Sequence, residues 1–307
     1  MEKIKTIETL LNEYRMRSKR KYNPRKIIFR GMDGYDVYNP TAPFVYKEKT
    51  YMAARVERRD SENARAIFFQ ENSDGSYSID ETMPVYELQD PFYTRINRWH
   101  IFGGTEIFPD GNDPGKILWR TAIYYGESIE KMSELIKGPN GMKDIRLVEL
   151  SDGSVGVFTR PQGKKGGRGK IGFTTVPSLF DISHDVIERA VLLDLFDPME
   201  WGGCNEPVLL PDGKVGVLGH VARFVHGTNR QYYPMTFILD PKTLTFSRYQ
   251  IIAERSDFLP GPAKREDLKD VLFSAGLIRK NGITTLYTGV SDAEVQAMEI
   301  DNPFPGY

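Results

Sequence analysis

The chain has a single cysteine, Cys204, in 307 residues, which excludes an internal disulfide framework. Its four histidines are scattered and show no zinc-site spacing, so no metal and no resident cofactor is expected. No apolar run approaches the ~18 residues that suggest a membrane span. The opening MEKIKTIETL lacks the apolar core of a secretory signal, and the expectation is a cytoplasmic protein without a membrane partner. An excess of one charge is also missing: 41 basic against 42 acidic side chains argue against nucleic acid as a partner. Walker, HExxH and GxSxG motifs are absent. Gly167-Arg168-Gly169-Lys170-Ile171-Gly172 does fit GxGxxG, but the strand-like FTTV follows it. A dinucleotide fingerprint needs a helix N-terminus for its phosphate, so that reading is rejected. The surrounding PQGKKGGRGK reads as a flexible basic hairpin loop, or as a lid over an anionic substrate.

What is present describes a globular chain, with 40% hydrophobic and 27% charged residues. Residues 2–20 place Ile4, Ile7, Leu10, Leu11 and Tyr14 on one helical face, followed by a basic run at Arg15, Arg17, Lys19, Arg20 and Lys21. This helix is a candidate contact for a homo-oligomer. Beyond Asn39 the texture turns to short β-branched and aromatic runs. Turn dipeptides punctuate them at Asp74-Gly75, Asp152-Gly153, Asp212-Gly213 and Asn281-Gly282, where two-residue hairpins need φ > 0. A short helix is expected only near Ser128–Ile136. A strand–turn–strand unit recurs as APFVYKEKTYMAARV, PFYTRINRWHIFGGTEI, IRLVELSDGSVGVFTR, EPVLLPDGKVGVLGHV and AGLIRKNGITTLYTGV, with turns near residues 48, 97, 153, 213 and 282. Five such hairpins fit the blades of a propeller better than a β-sandwich. The fold expected is all-β: a five-bladed β-propeller over 39–307, preceded by an N-terminal helix and lead-in segment over 1–38.

Polar residues recur at fixed places in that repeat. Asn39-Pro40, Asp90-Pro91, Lys143-Asp144 and Asn205-Glu206-Pro207 precede the first strands, and Arg55, Arg58, Arg160, His220 and Asp292 lie at or beyond the ends of the second. Innermost strands would aim these groups at one mouth of the channel, a setting for a hydroxyl-rich anionic ligand. Each also has a plainer reading. Asp-Pro and Asn-Pro initiate turns, His220 would serve as a hydrogen-bonded core histidine, and Arg160 as a salt-bridged blade residue.

The order of these segments resembles the β-mannoside phosphorylases, five-bladed propeller enzymes. QDPFYTRINRWHIFGGTEI is similar to their Glu-Asp-Pro-Arg segment, which places the catalytic aspartate on Asp90. KDIRLVELSDGSVGVFTRP is similar to the segment matching Lys143, Asp144 and Arg160. EPVLLPDGKVGVLGHV resembles the blade ending in a phosphate-contacting histidine, here His220. Tyr287, Gly289 and Asp292 match the closing blade. Gln89 and Phe92 replace the usual glutamate and arginine, and Trp201-Gly202-Gly203 stands where a lysine-bearing stretch is usual. Those departures resemble a divergent branch, the mannosyltransferase-phosphorylases of β-1,2-mannan, some of which use GDP-mannose as donor.

The resemblance implies an inverting glycoside phosphorylase or mannosyltransferase acting on β-mannosides, β-1,2-linked oligomannosides among them, with inorganic phosphate as co-substrate. Asp90 would be the general acid, with Arg58, Arg160, His220 and Arg168 cradling phosphate. Asn39, Arg55, Asp144, Glu206 and Asp292 would bind the sugar, on which Trp99 or Tyr233 would stack. Phosphorolysis needs one acid and a basic pocket, whereas inverting hydrolysis needs a second carboxylate as base. Two alternatives therefore stand: a hydrolase on the same propeller with Asp144 or Glu206 as base, and a non-catalytic carbohydrate-binding propeller.

Overall fold

All five recurrent hairpins are antiparallel and form the inner strands of sheets set around a central channel. The computed structural model describes residues 4–17, 23–111, 113–304 and 306. Helix α1 (Ile7–Met16) is shorter than the 2–20 expected and is capped by Thr6, whose side chain accepts from the Thr9 amide. A ten-residue helix is marginal alone. Here Ile7, Leu10, Leu11 and Tyr14 are buried against Phe196, Tyr249 and their neighbours. Each such side chain contributes about 1.5–3 kcal/mol on burial. Of the basic run, Arg15 pairs with Glu254 at 2.5 Å, and Lys19, Arg20 and Lys21 lie outside the described residues.

Three short strands follow: β1 (Arg25–Lys26), β2 (Phe29–Arg30) and β3 (Asp36–Tyr38). Blade 1 is built from β4 (Phe44–Tyr46), β5 (Lys49–Glu57), β6 (Arg65–Glu71) and β7 (Tyr77–Ile79), with β3 joining β5 on the inside and β2 joining β7 on the outside. Blade 2 comprises β8 (Gln89–Ile96), β9 (Trp99–Asp110), β10 (Asp113–Ser128) and β11 (Lys131–Lys137). The helix expected near Ser128–Ile136 is instead the β10–β11 turn and outer strand. There Ile136 pairs with Ile123, and Ile129 is buried between blades 1 and 2. Sheet pairing overrides the helical spacing.

Blade 3 comprises β12 (Arg146–Glu149), β13 (Val155–Thr159), β14 (Gly172–Val176) and β15 (Val191–Leu192), with one-turn α2 (Gly163–Gly166) before β14 and α3 (His184–Glu188) after it. Gly167–Gly172 thus runs into a strand, as expected. Blade 4 comprises β16 (Trp201–Leu209), β17 (Val215–Val225), β18 (Asn229–Leu239) and β19 (Phe246–Ile251). Blade 5 has three strands of its own, β20 (Leu272–Lys280), β21 (Ile283–Val290) and β22 (Glu294–Ile300). Its fourth is β1, paired at Arg25↔Ala297, so the N-terminal lead-in closes the ring. Of the four turn dipeptides, Asn281-Gly282 is a two-residue turn with both φ positive. At the three Asp-Gly sites only the glycine is positive, and the aspartate accepts from the amide two residues on.

Irregularities on the inner strands position the site. Register slips at Asp90-Pro91 in β8, at Asn205 in β16 and at Ala275 in β20. A bulge of this kind turns a side chain out of the pleat. Asn39, Asp90, Asp144 and Asp292 all have φ between 43° and 62°. Asn and Asp tolerate that left-handed region best among residues with a Cβ.

Candidate active site

Four residues with this backbone, supplied by blades 1, 2, 3 and 5, converge on one mouth of the channel. They line a cavity of about 280 Å³ with Lys143, Arg160, His220, Arg230 and Tyr232. Asn39 Nδ2 donates to Asp90 Oδ1 at 2.8 Å and lies 3.4 Å from Asp292 Oδ1. Arg55 Nη1 donates to the same Asp90 oxygen at 3.3 Å. Both donors use Oδ1, and among the described residues none reaches Oδ2. Behind Asp90, Arg55 is held by Glu57 at 3.0 Å, and Glu57 in turn pairs with the buried Lys264. Asp292 is pushed above the usual carboxylate range by burial, with Asp90 adding to the effect and Arg55 opposing it.

On the other wall, Asp144 Oδ2 lies 3.3 Å from Arg160 Nη1 and its Oδ1 3.7 Å from Arg146 Nη2. Burial opposes ionisation of Asp144, but Arg160, Lys143 and Arg146 outweigh it and pull its carboxyl down to about 2. Arg160 is 2% exposed, and its Nε donates to the Gly202 carbonyl at 2.8 Å. Its Nη1 is sealed from solvent and meets the Asp144 carboxylate off hydrogen-bonding geometry. Lys143 has no ion-pair partner among the described residues, although it lines the cavity. His220 Nδ1 lies 2.8 Å from Asn205 Oδ1, and its ring stacks on Tyr232 at 5.3 Å. Burial, then the Arg160 charge, press its pKa down to about 3, so the ring is neutral. Gly203 is the floor beneath these groups. A Cβ there would sit 2.9 Å from Arg160 Cδ and His220 Cε1 and 3.0 Å from Asp144 Oδ2.

An adjoining cavity of about 490 Å³ shares Lys143, Arg160, Arg230 and Tyr232, and adds Gln89, Trp119, Gln162, Arg168, Trp201 and Phe224. The Arg168 guanidinium sits 4.5 Å from the Phe224 ring centre. A larger groove of about 1050 Å³ lies at the outer edges of blades 3 and 4, away from the channel.

The structure therefore gathers Asn39, Arg55, Asp90, Asp144, Arg160, His220 and Asp292, with Arg168 next door. It does not bring in four others named from sequence. Arg58 lies past the end of β5, with its side chain 71% exposed beside Asp60. Trp99 sits at the far hairpin turn, packed on Tyr125 and Phe180. Tyr233 is buried in the hydrophobic core with Met235 and Phe237. Glu206 faces a different cavity, beside Thr41, Phe92 and Arg146. It accepts the Leu277 amide at 2.7 Å, and burial pushes its pKa up to about 7. Sequence reasoning placed Lys143 at the mouth without a role, and it missed Arg230 and Tyr232. Strand alternation offered the last: with Tyr233, Met235 and Phe237 inward, Tyr232 must face the other way.

Cations, carboxylates and a neutral histidine lie at the mouth of a five-bladed propeller, and the chain is similar to mannoside phosphorylases and mannosyltransferases of that fold. Two solved structures support that comparison across nearly the whole chain. A mannose phosphorylase from Leishmania mexicana, MPT-4, solved with a phosphate ion, is 34% identical with a TM-score of 0.89, covering 97% of this chain and 93% of that one. MPT-1, a GDP-Man-dependent mannosyltransferase from the same organism, is 32% identical with a TM-score of 0.89, covering 98% and 96%. A β-1,2-mannobiose phosphorylase from Listeria innocua shares the fold at 15% identity and a TM-score of 0.63, covering 88% and 91%. No functionally curated protein matches the chain. Residues 13–306 match the family described as "Protein of unknown function (DUF1861)", and the chain belongs to it. Among the described residues no helix is long and apolar enough to cross a membrane.

Proposed function

We propose that the protein is an inverting β-mannoside phosphorylase that forms or consumes mannose 1-phosphate, with β-1,2-linked oligomannosides as substrates. The observation that carries this reading is the cavity that gathers Arg160, Arg230, His220 and Lys143, the last without an ion-pair partner among the described residues, on the same lining as Asp90. Cations gathered in low dielectric favour an anion, and arginine suits a tetrahedral oxyanion. Asn39, Asp144 and Asp292 supply the acceptors and donors that sugar hydroxyls require.

In the reaction, a phosphate oxygen bonds to the anomeric carbon as the glycosidic C–O bond breaks. Asp90 gives its proton to the leaving oxygen, directly or through a sugar hydroxyl. The proton of hydrogen phosphate is released as the ester forms and balances the one that Asp90 takes back. Oδ1 is occupied by Asn39 and Arg55, which leaves Oδ2 to carry the proton. Positioning supplies much of the rate. The leaving sugar would occupy the adjoining cavity. Its aromatic faces and guanidinium groups also suit a nucleoside diphosphate, so GDP-mannose is the alternative donor to assay.

Neither carboxylate nominated as a hydrolytic base supports that alternative: Asp144 is paired with two arginines and Glu206 faces another cavity. The test is to incubate the protein with β-1,2-mannobiose, with and without phosphate. Phosphate-dependent mannose 1-phosphate is expected, whereas free mannose without phosphate would overturn the reading in favour of hydrolysis.

A further inference from the structure

We propose that Asn205 holds His220 as its Nδ1–H tautomer, so that the anion pocket presents a bare imidazole lone pair and selects hydrogen phosphate over sulfate. This rests on the phosphate reading above and adds to it a rule for which anion is accepted.

His220 is 5% exposed and lines the cavity with Arg160 and Lys143. A further positive charge among those cations is unfavourable, so the imidazole has one N–H and one lone pair. Its Nδ1 faces the Asn205 amide oxygen at 2.8 Å. With the amide oxygen turned to the ring and Nδ2 left buried without a partner, the N–H falls to Nδ1 and the lone pair to Nε2. Stacking on Tyr232, with 23° between the planes, fixes the plane of the ring. Asn205 itself sits at the bulge of β16, and its backbone carbonyl accepts from Arg146 Nε at 3.0 Å. Asn205 is thus a positioning residue, acting through His220. Among the described residues Nε2 has no hydrogen-bond partner, and the ring lines the cavity.

Hydrogen phosphate and sulfate carry the same charge and nearly the same shape at neutral pH, and Arg160, Lys143 and Arg230 would serve either. Only hydrogen phosphate has an O–H to offer to a lone pair. With sulfate, Nε2 would meet an oxygen lone pair, as would the ionised Asp144 carboxylate. One unmade hydrogen bond to a charged group corresponds to roughly 10- to 100-fold in affinity.

The experiment is calorimetric titration of the intact protein with sodium phosphate and with sodium sulfate, at pH 7.5 and matched ionic strength. It is joined to ¹⁵N NMR of histidine-labelled protein, where only four side chains need assignment. Sulfate is expected to bind at least 10-fold more weakly than phosphate, and the His220 signal to report an unprotonated Nε2. His220→Gln, whose amide can turn an N–H toward the anion, should bring the two affinities within about 3-fold. Equal binding of both anions by the unaltered protein, or a protonated Nε2, would overturn the proposal, because the Asn205 amide would then present its NH₂ to the ring. No binding of either anion would instead defeat the phosphate reading, and the selectivity with it.

Discussion

Replacing Asp90 by asparagine tests the acid assignment most directly, because the structure separates what the change keeps from what it removes. The amide side chain would retain an oxygen for Asn39 Nδ2 and Arg55 Nη1, the two donors that fix Asp90. Arg55 would retain Glu57, at 3.0 and 3.1 Å. The Arg55–Asp90 pair is buried, but Arg55 keeps Glu57 and Glu62, so the loss of stability should stay below the ~3–5 kcal/mol of leaving a buried charge unpaired. What disappears is the proton on the free oxygen. General acid catalysis contributes roughly 10²–10⁴ in rate, or about 3–5.5 kcal/mol of barrier.

Turnover of β-1,2-mannobiose with phosphate should therefore fall by that factor, with the KM for phosphate within about 3-fold of the parent. A substrate whose leaving group needs no proton, such as a nitrophenyl β-mannoside, should lose far less. That difference between substrates is the signature of a missing acid. Equal loss on both would refute the reasoning, since it would mean that Asp90 orients the sugar. Unchanged turnover of mannobiose would remove Asp90 from the chemistry altogether.

Three further outcomes are expected. Arg160→Lys keeps a charge beside Asp144 but loses the fork that reaches Gly202 and the anion together, so steady-state kinetics should show the KM for phosphate up about 10-fold or more, with the sugar KM little changed. Glu206 has its pKa raised by burial from 4.5 to about 7, so the folded state holds a proton that the unfolded chain releases. Its stabilising effect is complete below about pH 4.5 and is lost as the pH rises through 7, by up to about 3 kcal/mol. Glu206→Gln should then gain in melting temperature over the parent at pH 8 and gain little at pH 5, as differential scanning fluorimetry would show. Leu10→Ala empties a fully buried position under α1 and should cost about 2–5 kcal/mol in chemical denaturation, without altering phosphate affinity.

The fold was readable because its unit is local. Each inner hairpin carries alternating apolar residues and its own turn chemistry, and five of them in order leave little choice of architecture. The closing strand β1 was not readable, because two exposed residues, Arg25 and Lys26, carry no pattern until β22 offers its edge. The site was readable where a residue stands beside a recurrent landmark, as do Asn39, Asp90, Asp144 and His220. It failed where depth along a strand or facing decides. Trp99 shares a hairpin with Asp90 but lies at its other end, and Glu206 is one residue past Asn205 on a bulged strand that turns it to another cavity. Arg230 enters from the far side of blade 4 on β18, with Asp267 steadying it at 2.9 Å. No periodicity marks such a residue.

The four left-handed residues show how one backbone device serves several chemical tasks. Non-glycine residues in that region cost of order 1 kcal/mol or more, and they persist where the surrounding structure holds them. Here the region turns a short polar side chain from each of four blades toward one point, and the neighbours then set the charge. Asn39 is a neutral donor between two carboxylates. Asp144, clamped by two arginines, stays ionised down to about pH 2 and is far too weak a base to activate water near neutrality. Asp292 moves the other way, as burial and the nearby Asp90 disfavour its charge. A hydrolase would need a basic carboxylate across the sugar from its acid. This arrangement instead gives that wall to Arg160, Lys143 and His220, which makes sense when the nucleophile arrives already charged.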